Sequence, residues 1–318
     1  MTYAQQSALH PAGPDAEIIA QLAWVLTGGA AVVFVGVMAL CVLGLRKRRV
    51  VHIRWWLWGG GVVLPLLVLS ALLAFSTLRS TQLSMPSSQH AVKIAVIARL
   101  WWWEVRYTDP AGGPDIVLAN EIRLPAGQPV YLGLSSADVI HSFWAPALAG
   151  KVDMVPGRLH GMTIRADRAG VYRAQCAEYC GEQHARMALH VVAQSQQAFD
   201  AWLAAQAAPA RTTADARFDA GRKAFAQQRC SACHTVRGAD QDGAARAWAG
   251  GEGALGPDLT HIGSRLYIGA GTLRNDAGAL AAWIANPHGF KPGVRMPASA
   301  DMDGETLQAL AGYLEQLK

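Results

Sequence analysis

Two stretches of this chain are too long and too apolar for an ordinary soluble domain. Ile18 to Leu45 contains no charged residue over 28 positions, and Trp55 to Leu78 contains none over 24. A bilayer core needs roughly 20 apolar residues of helix, so each run is long enough to span. Buried core helices are the competing reading, but uncharged runs of this length are rare in soluble domains. Gly28, Gly29, Gly36 and the run Gly59 to Gly61 would weaken soluble helices and are ordinary in membrane ones. Pro65 is expected to kink the second span.

The connection between the spans holds Arg46, Lys47, Arg48, Arg49 and Arg54 and no acid, which predicts a cytoplasmic loop and both chain ends outside. The first residues lack a basic n-region and a small-residue cleavage pattern, so the first span is expected to direct its own insertion. The net charge of +5 does not mark a nucleic-acid surface. Residues 1–89 hold six basic and two acidic residues, whereas residues 90–204 hold ten of each. The excess belongs to membrane topology, and no nucleic-acid partner is expected.

A length of 318 residues allows about two domains. From about 90 to 204 the pattern is β. Val92 to Ala98, Glu121 to Pro125, Val130 to Leu134, Met162 to Arg165, Gly170 to Ala174 and Met187 to Val192 read as short strands, as in a sandwich or barrel. A helix over Gln196 to Gln206 closes this region, and residues 205–215, rich in Ala, Pro and Thr, read as a linker. From 216 to 318 the pattern is helical, with helices expected at Phe218 to Gln228, Ala277 to Ala285 and Glu305 to Leu317.

Four of the five cysteines fall in two motifs. The fifth, Cys41, lies alone in the first span and reads as a small apolar residue. The first motif is Cys176-Ala-Glu178-Tyr-Cys180-Gly-Glu-Gln-His184-Ala-Arg-Met187. Thiolate, imidazole and thioether are the donors that electron-transfer copper favours. A mononuclear blue-copper site uses one cysteine; two suggest two bridging thiolates and two metal ions. A second imidazole is then needed, and His141 in Asp138-Val-Ile-His141-Ser-Phe-Trp is the natural candidate. His90, His160 and His190 lack comparable context and read as surface or structural residues. A Cys176–Cys180 disulfide is the alternative, since an outside compartment favours disulfides.

The second motif, Cys230-Ser-Ala-Cys233-His234, is the attachment sequence of a covalent c-type haem. Two thioethers would form at Cys230 and Cys233, with His234 as the proximal iron ligand. Zinc binding and thiol redox exchange are the competing readings of such a spacing.

The region from 15 to 204 resembles subunit II of haem-copper cytochrome c oxidases. The resemblance rests on the two-span hairpin, Trp101-Trp102-Trp103-Glu104-Val-Arg106-Tyr107, the Asp138 to Trp144 segment, Lys151-Val-Asp153-Met-Val-Pro156-Gly157-Arg158 and the copper loop. It implies a cupredoxin domain over 90–204 with a dinuclear CuA centre. The implied donors are the thiolates of Cys176 and Cys180, the imidazoles of His141 and His184, the Met187 thioether and the Glu178 carbonyl. The Glu178 carboxylate is implied to help bind magnesium against subunit I; a solvated loop acid is the plain alternative. Trp101 matches the position where electrons pass in towards CuA, while Trp102 and Trp103 read equally as core. The family commonly has a glutamate near the start of the second span, and here Trp58 falls at that position.

The tail from about 215 resembles a class I cytochrome c domain, through Gly256-Pro257-Asp258-Leu259 and the last helix with Tyr313 and Leu314. Met296, before Pro297, matches the distal ligand, with Met302, His261 and His288 as rivals. The whole resembles a caa3-type oxidase subunit II. The expectation is a multidomain membrane protein with a two-helix transmembrane hairpin, an all-β cupredoxin domain and an all-α cytochrome c domain. It would sit multi-pass in a bacterial plasma membrane, with both redox domains on the outer, periplasmic side. Its partners would be oxidase subunit I, other oxidase subunits and an external cytochrome c or respiratory donor complex. A membrane-tethered carrier outside any oxidase is the alternative. A quinol oxidase subunit would lack the copper donors, and a nitrous oxide reductase would need a large catalytic domain.

Overall fold

A computed structural model of the chain describes residues 6–46, 52–83, 92–210, 215–238 and 255–318. Most of the basic loop between the spans, part of the connector before the β region and residues 211–214 of the linker lie outside the described residues.

Helix α1 (Pro14–Arg46) starts on a proline, whose missing N–H costs nothing in a first turn, with Asp15 and Glu17 at its positive end. Helix α2 runs over Ile53–Ser80. Both are long and apolar enough to cross a membrane, and neither apolar window is buried within the chain. Pro65 is accompanied by a local change of helix type. It has no N–H to give the preceding turn, and Trp56–Val63 just upstream widens into a π-helix, with Leu64 N–H donating to Gly59 O.

The foot of α1 is fixed to the β domain. Ala12 N–H donates to Ala147 O at 2.7 Å, and Asp167 N–H donates to Ala12 O at 2.8 Å. Gly13 fits because a Cβ there would lie 2.3 Å from Arg165 O. This strap ties the membrane helix to the sheets independently of the connector.

Ten strands follow: β1 (Lys93–Arg99), β2 (Trp102–Tyr107), β3 (Ile116–Ala119), β4 (Glu121–Pro125), β5 (Val130–Ser136), β6 (His141–Trp144), β7 (Lys151–Met154), β8 (His160–Ile164), β9 (Gly170–Cys176) and β10 (Ala188–Gln194). They form two five-stranded sheets, ordered β3-β2-β1-β5-β8 and β4-β10-β9-β6-β7. The β1–β5 and β4–β10 pairs are parallel, and the other neighbours are antiparallel. Val96, Trp103, Val105, Leu132, Leu134, Phe143, Leu189 and Val191 form a fully buried sandwich core. Trp103 is therefore core, whereas Trp102 is only half-buried, beneath the Arg99 guanidinium. Pairing of Phe143 with Cys176 brings the ends of β6 and β9 together, which sets His141 beside the loop between β9 and β10.

Helix α3 (Gln196–Ala207) buries Phe199 and Leu203 against this core, and Ser195 caps it by accepting from Ala198 N–H. The tail packs α4 (Ala216–Gln227), α5 (Ala277–Ala285) and α7 (Gly304–Gln316), with a short α6 (Pro287–Phe290) between the last two. Helices α4 and α7 cross at Gly221, where a Cβ would meet Ala309 O at 2.2 Å. That close approach seats Phe218 edge-on to Tyr313, ring centroids 4.9 Å apart.

Candidate metal and haem centres

The short loop between β9 and β10 returns the chain so that Cys176 N–H donates to Met187 O at 2.9 Å. Its side chains converge with His141. Cys176 Sγ lies 3.7 Å from His141 Nδ1 and 3.7 Å from Cys180 Sγ. Cys180 Sγ lies 3.7 Å from His184 Nδ1 and 4.0 Å from Met187 Sδ. Glu178 O stands 3.2 Å from Cys176 Sγ. A disulfide needs the sulfurs about 2.05 Å apart, so the two thiols are free, and the disulfide alternative does not describe this fold.

Two thiols, two imidazoles and a thioether gathered this closely are a donor set whose chemistry suits copper. The Cys176 pKa is lowered, chiefly by the hydrogen bond shared with the Cys180 thiol and then by His141, against the effect of burial. The same contact, with burial, pushes Cys180 up. Asp138 Oδ1 lies 2.8 Å from His141 Nε2, which leaves Nδ1 to face the sulfur. Burial opposes protonation of His141, but the bonds to Asp138 and Cys176 outweigh it and raise its pKa. A carboxylate behind a metal-facing imidazole is the usual outer support of such ligands. Glu178 turns its carboxylate outwards, 3.5 Å from Lys151 Nζ.

Trp101 sits at the rim. Its Nε1–H donates to Cys180 O at 2.8 Å, and its ring covers Gly181, whose φ of +109° suits glycine. Exposed Val139, Ile140 and Tyr179 flank the loop.

In the tail, Arg229 takes a left-handed conformation, and a 3-10 turn over Cys230–Ala232 follows. His234 N–H donates to Cys230 O at 3.0 Å, folding both thiols and the imidazole onto one turn. Cys230 is half-buried and Cys233 exposed. His234 Nδ1–H donates to Pro257 O at 2.8 Å, which leaves Nε2 as the metal-facing atom. Burial lowers the His234 pKa and keeps the ring neutral, as an iron ligand requires. Gly256 permits this approach, because a Cβ there would lie 2.7 Å from His234 Cε1. These groups fit a covalent haem.

Met296 and Met302 both pack, half-buried, against the core of the tail. His261 is turned away from any distal role: it is buried, and its Nε2–H donates to Ala208 O at 2.9 Å.

Sequence reasoning overlooked Asp138 as the support of His141, although its place three residues earlier could have signalled it. It also overlooked Gln183, Arg186 and Lys291, whose bonds bridge the two domains and which no local pattern marks. His190, expected to be surface or structural, is buried and stacks on Tyr267 of the tail with ring centroids 4.0 Å apart.

Residues 115–195 match the family model of the cytochrome c oxidase subunit II periplasmic domain, and residues 218–318 match that of cytochrome c. Cytochrome c oxidase subunit 2 of Bacillus subtilis is 30% identical over 272 residues, which span 80% of this chain and 73% of that protein. The chain belongs to the cytochrome c oxidase subunit II family. The subunit 2 of Alkalihalophilus pseudofirmus is 36% identical over 230 residues, covering 72% of this chain and 62%, less than two thirds, of that protein's length. The periplasmic domain of subunit II of cytochrome oxidase from Bradyrhizobium japonicum is 25% identical, with a TM-score of 0.36, over 39% of this chain and 97% of that one. Two apolar helices together with this family membership make the chain a membrane protein.

Proposed function

We propose that this subunit II family member is the electron-receiving subunit of a terminal cytochrome c oxidase. The observation that bears most weight is the convergence of Cys176, Cys180, His141, His184, Met187 and the Glu178 carbonyl on one small volume. These residues would hold a CuA pair. Cys230 and Cys233 would hold haem c through thioethers, with His234 Nε2 and Met296 on the iron. Bound there, the two groups supply one-electron carriage between a reduced external donor and a separate subunit I that reduces oxygen to water and moves protons.

The chain's own residues do the positioning. Asp138 orients His141, the Pro257 carbonyl orients His234, and Trp101 bridges the copper loop to the tail. The outward Glu178 carboxylate would complete a magnesium site against subunit I, and Val139, Ile140 and Tyr179 offer apolar surface to that partner. The basic loop would lie on the cytoplasmic side of a bacterial plasma membrane, with both redox domains outside.

The test is to purify the tagged chain from its own membranes and measure oxygen uptake with a reduced cytochrome c. The expected result is co-purification of a large multi-span subunit and uptake that Cys176→Ser abolishes while the haem remains reducible. A chain that purifies alone and supports no uptake would overturn the reading in favour of a tethered carrier.

A further inference from the structure

Three consecutive residues of the tail are each fastened to the copper loop or its rim. Arg186 Nη1–H donates to Phe290 O at 2.5 Å, and Gln183 Nε2–H donates to Pro292 O. In the opposite sense, Lys291 Nζ donates to Trp101 O at 2.9 Å and to Arg186 O at 3.0 Å. Gln183 and Arg186 lie between the copper donors Cys180, His184 and Met187. Met296 lies four residues after Pro292. Gly293, with φ of +79°, makes the turn against Glu182, where a Cβ would meet Oε2 at 2.2 Å.

Lys291 is the unusual member. It is only 2% exposed, and among the described residues no carboxylate pairs with it. A buried ammonium is costly unless its hydrogens and charge are compensated. Burial pulls the Lys291 pKa down to about 8, and the Trp101 and Arg186 carbonyl oxygens take its hydrogens. Trp101 links the two sites, since its carbonyl accepts from Lys291 while its indole donates to Cys180 O. The ammonium thus touches the residue that touches the copper donor.

We propose that Lys291 is a positioning residue for electron transfer within this chain. It seats the Phe290–Pro292 loop on the copper loop, so that electrons reach copper from the chain's own haem domain across Trp101. The proposal rests on the relay reading above. One electron moves: the haem iron is oxidised, the copper pair is reduced by that electron, and no proton or group is transferred. An external carrier would then deliver to the haem domain, because the Trp101 rim is already engaged.

The test uses the full chain, with haem and copper and also copper-free, as wild type, Lys291→Met and Lys291→Arg. Amide hydrogen exchange over residues 286–296 and 181–188 reports seating, and is expected to rise roughly tenfold or more in Lys291→Met. Haem-to-copper transfer after photoreduction of the haem is expected to slow roughly tenfold or more, with haem reduction by a small external reductant unchanged. Lys291→Arg, which keeps charge and donors, is expected to restore both.

Wild-type exchange in Lys291→Met overturns the proposal, as does raised exchange with a wild-type transfer rate. If Lys291→Met does not retain haem, Lys291→Gln is held to the same two criteria. If the wild-type chain binds no copper pair, the relay reading fails on its own. The exchange contrast in the copper-free chain then still decides whether Lys291 seats the domain.

Discussion

Asp138 accepts from His141 and also from the Leu100 and Val139 amides, each at 2.8 Å, so one carboxylate fixes both the imidazole and the turn that presents it. Asp138→Ala is expected to weaken copper binding about 10–100-fold, read by competition with a chelator, and an unchanged affinity would contradict the assignment. The distal haem ligand is decided by a paired substitution. Met296→Ala is expected to lower the haem reduction potential and remove the methionine–iron absorption, while Met302→Ala leaves both in place. The reverse outcome assigns Met302. The side chains proposed to hold copper were legible because Cys176, Cys180, His184 and Met187 lie within twelve residues, whereas the Glu178 carbonyl came only from the family resemblance and His141 lies far upstream. Lys291 was illegible for a physical reason. Its partners are main-chain carbonyls 105 and 190 residues away, and every residue type provides those.

Strand β10 links the copper loop to the tail. Its His190 is 3% exposed, faces Tyr267, and has a buried Nδ1 without a hydrogen-bond partner among the described residues. Burial, with Arg173 adding to it, pulls its pKa from 6.5 down to about 4. The unfolded chain therefore takes up the proton first as pH falls. The stabilisation is fully present above about 6.5 and is lost on descending to about 4, with a size of about 3 kcal/mol. His190→Gln is expected to flatten the pH dependence of the urea midpoint across that window, and an unaltered slope would count against it. The helices of the tail were readable from their apolar period, and α5 has the expected bounds. Strands β2, β3, β6 and β7 were not among those expected; β3, β6 and β7 have four residues each, and β7 buries only Met154, which leaves too little alternation to read. Pro65 showed its lack of an N–H in the sequence, but not the π-helix that precedes it.

The three parts of the molecule are joined by more than their connecting segments. The Ala12–Gly13 strap fixes α1 to the sandwich. The end of α3 is held by the tail, where Arg237 donates to Gln206 O at 2.7 Å and to Ala207 O at 3.2 Å. Within the segment expected to be a linker from 205, Ala210 is held by the tail, its N–H donating to Arg237 O at 2.8 Å. Glu121 adds a further tie by accepting from Leu266 N–H at 2.8 Å. The sequence showed the parts and their order through composition and local motifs. It did not show their seating, which is made of scattered main-chain contacts. Whether one chain holds a copper pair and a haem is decided by copper and haem content with electron paramagnetic resonance on the purified full chain, after copper loading under reducing conditions. Two coppers per haem, with one unpaired electron shared equally by both copper nuclei in the oxidised protein, is the expected result. Haem without that shared-electron signal would contradict it and leave a membrane-bound cytochrome c.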